Sequence, residues 1–114
     1  MPADILIYHN PRCSKSRKAL EILREHGCEP TVIEYLKEPL SVEKLRSLGL
    51  PPREILREDE DEYAALQLGD PTKTDDELFA AIAQHPILLQ RPLVVSGKRA
   101  FVARPPEKVN ELLA

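Results

Sequence analysis

The sequence predicts an α/β fold: a mixed four-stranded sheet with a helical insertion between a βαβ part and a ββα part. Three observations predict it. A short apolar run, "ILIY" (5–8), is followed within about 30 residues by a helical pattern and a β-branched run, which is the order of a βαβ unit. The middle of the chain carries helical patterns split by breakers. Near its end, "RPLVVSGKRAFVA" (91–103) reads as two apolar strands around a turn.

Taken in order, 5–8 ends at a Pro-containing loop and reads as a buried strand. Residues 14–26 place Leu20, Ile22 and Leu23 at helical spacing, and Gly27 supplies the stop. "PTVIEYL" (30–36) reads as the second strand, joined by a right-handed crossover. Between 41 and 84, "SVEKLRSLG", "PPREILRE", "DEYAALQLG" and "TDDELFAAIAQHP" predict three or four short helices, the last opened by a Thr74–Glu77 capping box. A block of that length is too short to bury a core alone, so one domain over 1–114 is expected. "RPPEKVNELLA" (104–114) predicts a closing helix with proline in its first turn. The order matches a thioredoxin-type layer of sheet and helices interrupted by a helical block.

Composition narrows the function classes. The chain has 114 residues, 42% of them hydrophobic and 31% charged, with a net charge of -3. A folded core is expected, and neither a nucleic-acid surface nor a membrane surface. No apolar run approaches the ~20 residues of a membrane span. "MPADILIYHN" lacks the basic and apolar regions of a secretory signal, and the chain has two cysteines, so a reducing cytoplasm is expected. No Cys or His spacing resembles a metal site.

The chemistry gathers in "YHNPRCSKSRKAL" (8–20). If the helix begins at residue 14, Cys13 stands at its N-terminus. Unpaired N–H groups there carry about half a positive charge, which favours a thiolate and holds an oxyanion. His9, Arg12, Lys15 and Arg17 add positive potential, and Ser14 and Ser16 offer hydroxyls to sulfur or to an anion. A lone cysteine at a strand end is often only a small apolar residue. The cationic cluster moves Cys13 towards a functional reading, whereas Cys28, after a helix-stopping glycine, reads as structural. The motif is C-x-x-S rather than C-x-x-C, so redox turnover at Cys13 needs an external thiol.

"YHNPRCSKSR", "ILRE", "LLQRPLVV" and "VARPPEKV" together resemble the glutaredoxin-coupled arsenate reductases of the ArsC type. The resemblance covers essentially the whole chain and is greatest to the YfgD-like branch, which shares "HNPRCSKSR". It implies a thioredoxin-like fold with a helical insertion and reduction of arsenate to arsenite through an arsenylated Cys13. In its terms Cys13 is the nucleophile, His9 lowers its pKa, and Arg57, Arg91 and Arg104 bind the oxyanion. Pro92 is then a structural cis proline beside the cysteine. Glutathione is implied as co-substrate and glutaredoxin as partner, with no bound cofactor or metal and a monomeric state. Departures lie next to the cysteine: Ser14 and Lys15 follow it where well-studied members often have Gly-Thr, and cationic Arg12 precedes it. They fit stronger anion binding, a different anion, or a thiol substrate. Two other readings stay open: a general thiol oxidoreductase acting on glutathione mixed disulfides, and an Spx-like binding module, against which C-x-x-S counts.

Overall fold

The computed structural model describes residues 4–97 and 99–112. Two compact units divide the chain: residues 1–38 with 91–114, and residues 39–90.

The first unit holds the sheet. Strands β1 (Ile5–His9), β2 (Thr31–Glu34), β3 (Leu93–Ser96) and β4 (Arg99–Val102) lie in the order β2-β1-β3-β4. The β1–β2 pair is parallel; β1–β3 and β3–β4 are antiparallel. The sheet is therefore mixed, and β1 is central. Side chains alternate along a strand, so Ile5, Ile7 and His9 share one face of β1. In register, Ile7 sits between Val32 and Val94, and Val94 faces Phe101.

Helix α1 (Ser14–Glu25) covers that face. It buries Ser16, Ala19, Leu20, Ile22 and Leu23, a stripe set by i, i+3, i+4 spacing. Leu23 is fully buried among Ile5, Ile7, Val94, Phe101 and Val109, which is worth ~2 kcal/mol of transfer free energy. The helix stops where the sequence places its stop. Gly27 takes φ +79°, and the amides of Gly27 and Cys28 return to Arg24 O and Leu23 O at 3.0 and 2.9 Å.

Two expected elements differ in extent or type. Strand β2 ends at Glu34 rather than residue 36, because the amides of Lys37 and Glu38 both turn back onto Glu34 O at 2.9 Å. The closing segment is a 3-10 helix over Pro106–Leu112, packed against α1. Pro105 and Pro106 lack N–H donors, and the Lys108 amide takes the i→i+3 partner Pro105 O at 3.0 Å. Its expected last residues, Leu113 and Ala114, lie outside the described residues, as do Met1–Ala3. In the expected "SGKR" turn, Ser96 pairs with Arg99 and Gly97 takes φ +59°, while Lys98 lies outside the described residues.

The second unit is helical and runs wider than the expected 41–84. It contains α2 (Val42–Ser47), a 3-10 turn at Pro52–Glu54, α3 (Asp61–Ala65), α4 (Asp75–Gln84) and a 3-10 turn at Pro86–Leu88. Helix α4 packs on α2 and on both 3-10 turns. Its capping box is present: the Glu77 amide donates to Thr74 Oγ1 at 3.1 Å, and the Thr74 amide to Glu77 Oε1 at 2.9 Å. A bridge between Leu56 and Leu89 extends the unit to Gln90, whose amide meets Ile55 O at 2.9 Å. Helix α3 is shorter than "DEYAALQLG" suggested, because Gln67 at φ +55° turns the chain and Leu68 N closes onto Tyr63 O.

Candidate active site

Cys13 is the N-cap of α1, with extended backbone (φ −94°, ψ 120°), and is half-buried. The loop before it is a tight turn. The Cys13 amide donates to Asn10 O at 3.0 Å, the Arg12 amide to Asn10 Oδ1 at 3.0 Å, and Arg17 Nη1 to Pro11 O at 2.9 Å. The Arg17 amide returns to Cys13 O at 3.0 Å, which starts the helix. Asn10 and Arg17 thus fix where the sulfur stands.

The Cys13 thiol is shifted below its usual pKa. Burial pushes it up, but four effects outweigh burial: the Ser16 amide, the Arg91 charge, the Lys15 amide and a hydrogen bond from the Arg91 side chain. The sulfur closes no regular capping hydrogen bond on its own helix, so the two amides act chiefly by aiming their dipoles at it. The donor from Lys15 is its backbone N–H, not its ammonium. Cys28 behaves oppositely: burial and then Glu29 push its thiol up, and it packs against the core. Cys13 opens α1 and Cys28 follows its end, with a helix of 12 residues, about 18 Å long, between them.

His9 reaches the start of α1 through Ser16. Its ring is buried, and Nδ1 lies 2.6 Å from Ser16 Oγ. Burial lowers its pKa, Glu34 opposes this, and Arg24 and Arg17 reinforce it, so the ring is held neutral. Ser16 Oγ also accepts the Asn10 amide at 3.0 Å. Ser16 is fully buried, and its hydroxyl is engaged on both sides, which differs from the expected contact with an anion. Its backbone amide is the part that faces Cys13. Ser14, by contrast, is exposed at the first position of α1.

Two of the three arginines belong to the same unit as Cys13. Arg91 is half-buried beside the sulfur, and its Nε is buried with no hydrogen-bond partner. Arg104 donates from Nη1 to Arg91 O at 3.2 Å. Both precede cis prolines, Arg91–Pro92 and Arg104–Pro105. The Pro92 carbonyl accepts the Ala103 amide at 2.9 Å, tying the start of β3 to the end of β4. Arg57 lies in the helical unit. It is buried, with Nη2 on Glu60 at 2.9 Å and Asp59 at 3.3 Å, and its Nε is also without a partner. A buried guanidinium N–H left unpaired costs ~1–3 kcal/mol, a penalty that an oxyanion oxygen would relieve.

Thiolate, helix amides and the Arg91–Arg104 pair form an arrangement suited to a nucleophile attacking a bound oxyanion. The family model of the ArsC family matches residues 8–112. The chain belongs to the ArsC family. It is 42% identical over 118 residues to the uncharacterized protein YfgD of Escherichia coli K12, covering 99% of each chain. It is 44% identical over 113 residues to an arsenate reductase of Rhizobium meliloti, covering 96% of this chain and 81% of that one. A solved structure of an arsenate reductase from Vibrio cholerae superposes with a TM-score of 0.92 at 44% identity, covering 98% and 99% of the two chains. The thioredoxin-like α/β class of this ArsC fold is shared with these neighbours.

Sequence reasoning overlooked Asn10 as the builder of the cysteine loop. The Asn-Pro-Arg order was its signal, since an Asx side chain readily caps a turn two residues on. Among the described residues no group of three His, Cys, Asp or Glu is placed to hold a metal ion, and no helix is long and apolar enough to cross a membrane.

Proposed function

We propose that this ArsC-family chain reduces arsenate to arsenite in the cytoplasm, with Cys13 as nucleophile and glutathione and glutaredoxin as the thiol donors. The observation that carries the reading is the lowered pKa of Cys13, produced by Arg91 and the amides of α1 at the end of a strand. The Cys13 thiolate attacks arsenic(V), forming an S–As bond, and one arsenate hydroxyl leaves as water after taking a proton. Arg91 and Arg104 neutralise the anion through their planar donors. Arg57 is the third anion ligand by family analogy alone; within the helical unit it holds Glu60 and Asp59. His9 and Ser16 are positioning residues, which hold the Ser16 amide against the sulfur. Two external thiols then surrender two electrons, arsenic falls from the +5 to the +3 state, and one disulfide forms as arsenite leaves. Cys28, beyond the other end of α1, is not the resolving thiol.

Arsenate-dependent NADPH oxidation, coupled through glutathione, glutaredoxin and glutathione reductase, tests the proposal. Wild type should turn over only with arsenate, and Cys13→Ser should lose activity while remaining folded. Equal activity in the two proteins would remove Cys13 from the nucleophile's role. An active-site thiol that exchanges with glutathione disulfides but ignores arsenate would favour the general oxidoreductase.

A further inference from the structure

Unpaired positive charge collects around Cys13. The chain has a net charge of -3, yet residues 9–20 carry Arg12, Lys15, Arg17 and Lys18 and no acid. The first turn of α1 is likewise free of acidic residues. Elsewhere the cations mostly meet a carboxylate, as Arg24 meets Glu29 and Arg99 meets Glu111. A carboxylate beside a cation cancels most of its field in solvent. Among the described residues Arg12, Lys15, Arg17, Arg91 and Arg104 meet none, and all five belong to the cysteine loop, the start of α1 or the arginine pair beside the sulfur.

Three of these five are already engaged. Arg17 donates to Pro11 O, Arg104 to Arg91 O, and Arg91 to the sulfur. Arg12 and Lys15 differ. Both side chains are exposed, one immediately before the cysteine and one in the first turn of α1. Their backbone amides are fixed, on Asn10 Oδ1 and on the sulfur, but neither side chain is among the groups that lower the Cys13 pKa. Charges so placed act on an ion arriving through solvent rather than on one already bound. A cation ~7 Å from an incoming monoanion is worth about two- to threefold at ~10 mM ionic strength and almost nothing at ~1 M.

We propose that Arg12 and Lys15 form an outer cationic rim that steers small anions to Cys13, so that the thiol selects anionic over neutral electrophiles. The inference rests on Cys13 as the nucleophile, as in the function proposed above, and not on arsenate.

The test labels the full chain with iodoacetate and, separately, with iodoacetamide. Both alkylate sulfur with loss of iodide, and they differ by one negative charge. Rates at Cys13 and Cys28 are read by mass spectrometry of the peptides. At ~10 mM ionic strength the iodoacetate-to-iodoacetamide rate ratio should be higher at Cys13 than at Cys28, and the double variant Arg12→Gln, Lys15→Gln should lower the Cys13 ratio about fivefold. At ~1 M salt the two proteins should agree. The charge-retaining double variant Arg12→Lys, Lys15→Arg should keep the wild-type ratio. The pH midpoint of iodoacetamide labelling at Cys13 should be the same in all three proteins, and unchanged rates at Cys28 report that each is folded. A Cys13 ratio that the glutamine variant leaves unchanged, or that falls equally at ~1 M salt, overturns the proposal. So does a shifted iodoacetamide midpoint, which would make the two side chains ionising groups. Those outcomes leave Cys13 as the nucleophile; a Cys13 that reacts with neither reagent ahead of Cys28 would overturn that reading and the rim together.

Discussion

Replacing Ser16 with alanine tests how the site is built. The Ser16 hydroxyl is fully buried and serves two groups at once, His9 Nδ1 at 2.6 Å and the Asn10 amide at 3.0 Å. Removing it strands a buried ring nitrogen and a half-buried backbone N–H. A buried group left unsatisfied costs ~1–3 kcal/mol, and a typical net hydrogen bond ~1 kcal/mol, so the loss should be about 2–3 kcal/mol. Urea unfolding reads this directly. With a slope of ~1–3 kcal/mol per molar, the midpoint should fall by roughly 1–2 M at unchanged slope. The alkylation midpoint of Cys13 should move to higher pH in the same protein, because the Ser16 amide is no longer pinned by its side chain. Ser14→Ala, at an exposed position, should change stability by less than ~0.5 kcal/mol. A Ser16→Ala protein as stable as wild type, within ~0.5 kcal/mol, would refute the claim that this hydroxyl organises the loop.

Arg91→Met removes both a charge and a hydrogen bond from the sulfur, so the pH midpoint of Cys13 iodoacetamide labelling should rise; an unchanged midpoint would leave the helix amides as the whole cause. The folded protein favours the Cys13 thiolate, so this residue adds stability that is full above the ordinary thiol pKa of 9.0 and is lost as pH falls through the lowered folded value. The stability difference between wild type and Cys13→Ser, measured by urea unfolding from pH 6 to 9.5, should therefore grow with pH. His9 is held neutral by burial, with its folded pKa below 6.5. Its contribution is full above pH 6.5 and is lost as pH falls through the lowered value, and His9→Gln should show a flatter urea midpoint between pH 7.5 and 5. Thr74→Ala breaks the capping box of α4 and should cost ~1 kcal/mol in urea or thermal unfolding.

Much of the fold was legible because its signals are local. The stripe Ala19, Leu20, Leu23, the Gly27 stop and the Thr74–Glu77 box each lie within a few residues, and each acts where the sequence places it. Leu36 continues the β-branched run of β2 yet lies outside it, because that strand's end is decided by backbone turns onto Glu34. The closing helix is 3-10 rather than α, and over seven residues the spacing of apolar positions does not separate the two. At the site, the placement of Cys13 at a helix start follows from its neighbours in the chain. The nearness of Arg91 and Arg104 does not, since they are about 80 and 90 residues away in sequence and meet Cys13's surroundings only through the β1–β3 and β3–β4 pairings. Charge counting points to His9 and the nearby cations as the groups that ionise the thiol, and the backbone amides of Ser16 and Lys15, which act beside Arg91, carry no signal in such a count.

Phosphate protection of the two cysteines tests the account most directly. Wild type is labelled with iodoacetamide at neutral pH, with and without phosphate as an unreactive arsenate analogue, and the modified peptides are counted by mass spectrometry. Cys13 should react well ahead of Cys28, phosphate should slow labelling at Cys13 alone, and Arg91→Met should abolish that protection. Labelling of Cys13 that is no faster than Cys28 and indifferent to phosphate would contradict the claim that this thiol is an ionised nucleophile in an oxyanion pocket.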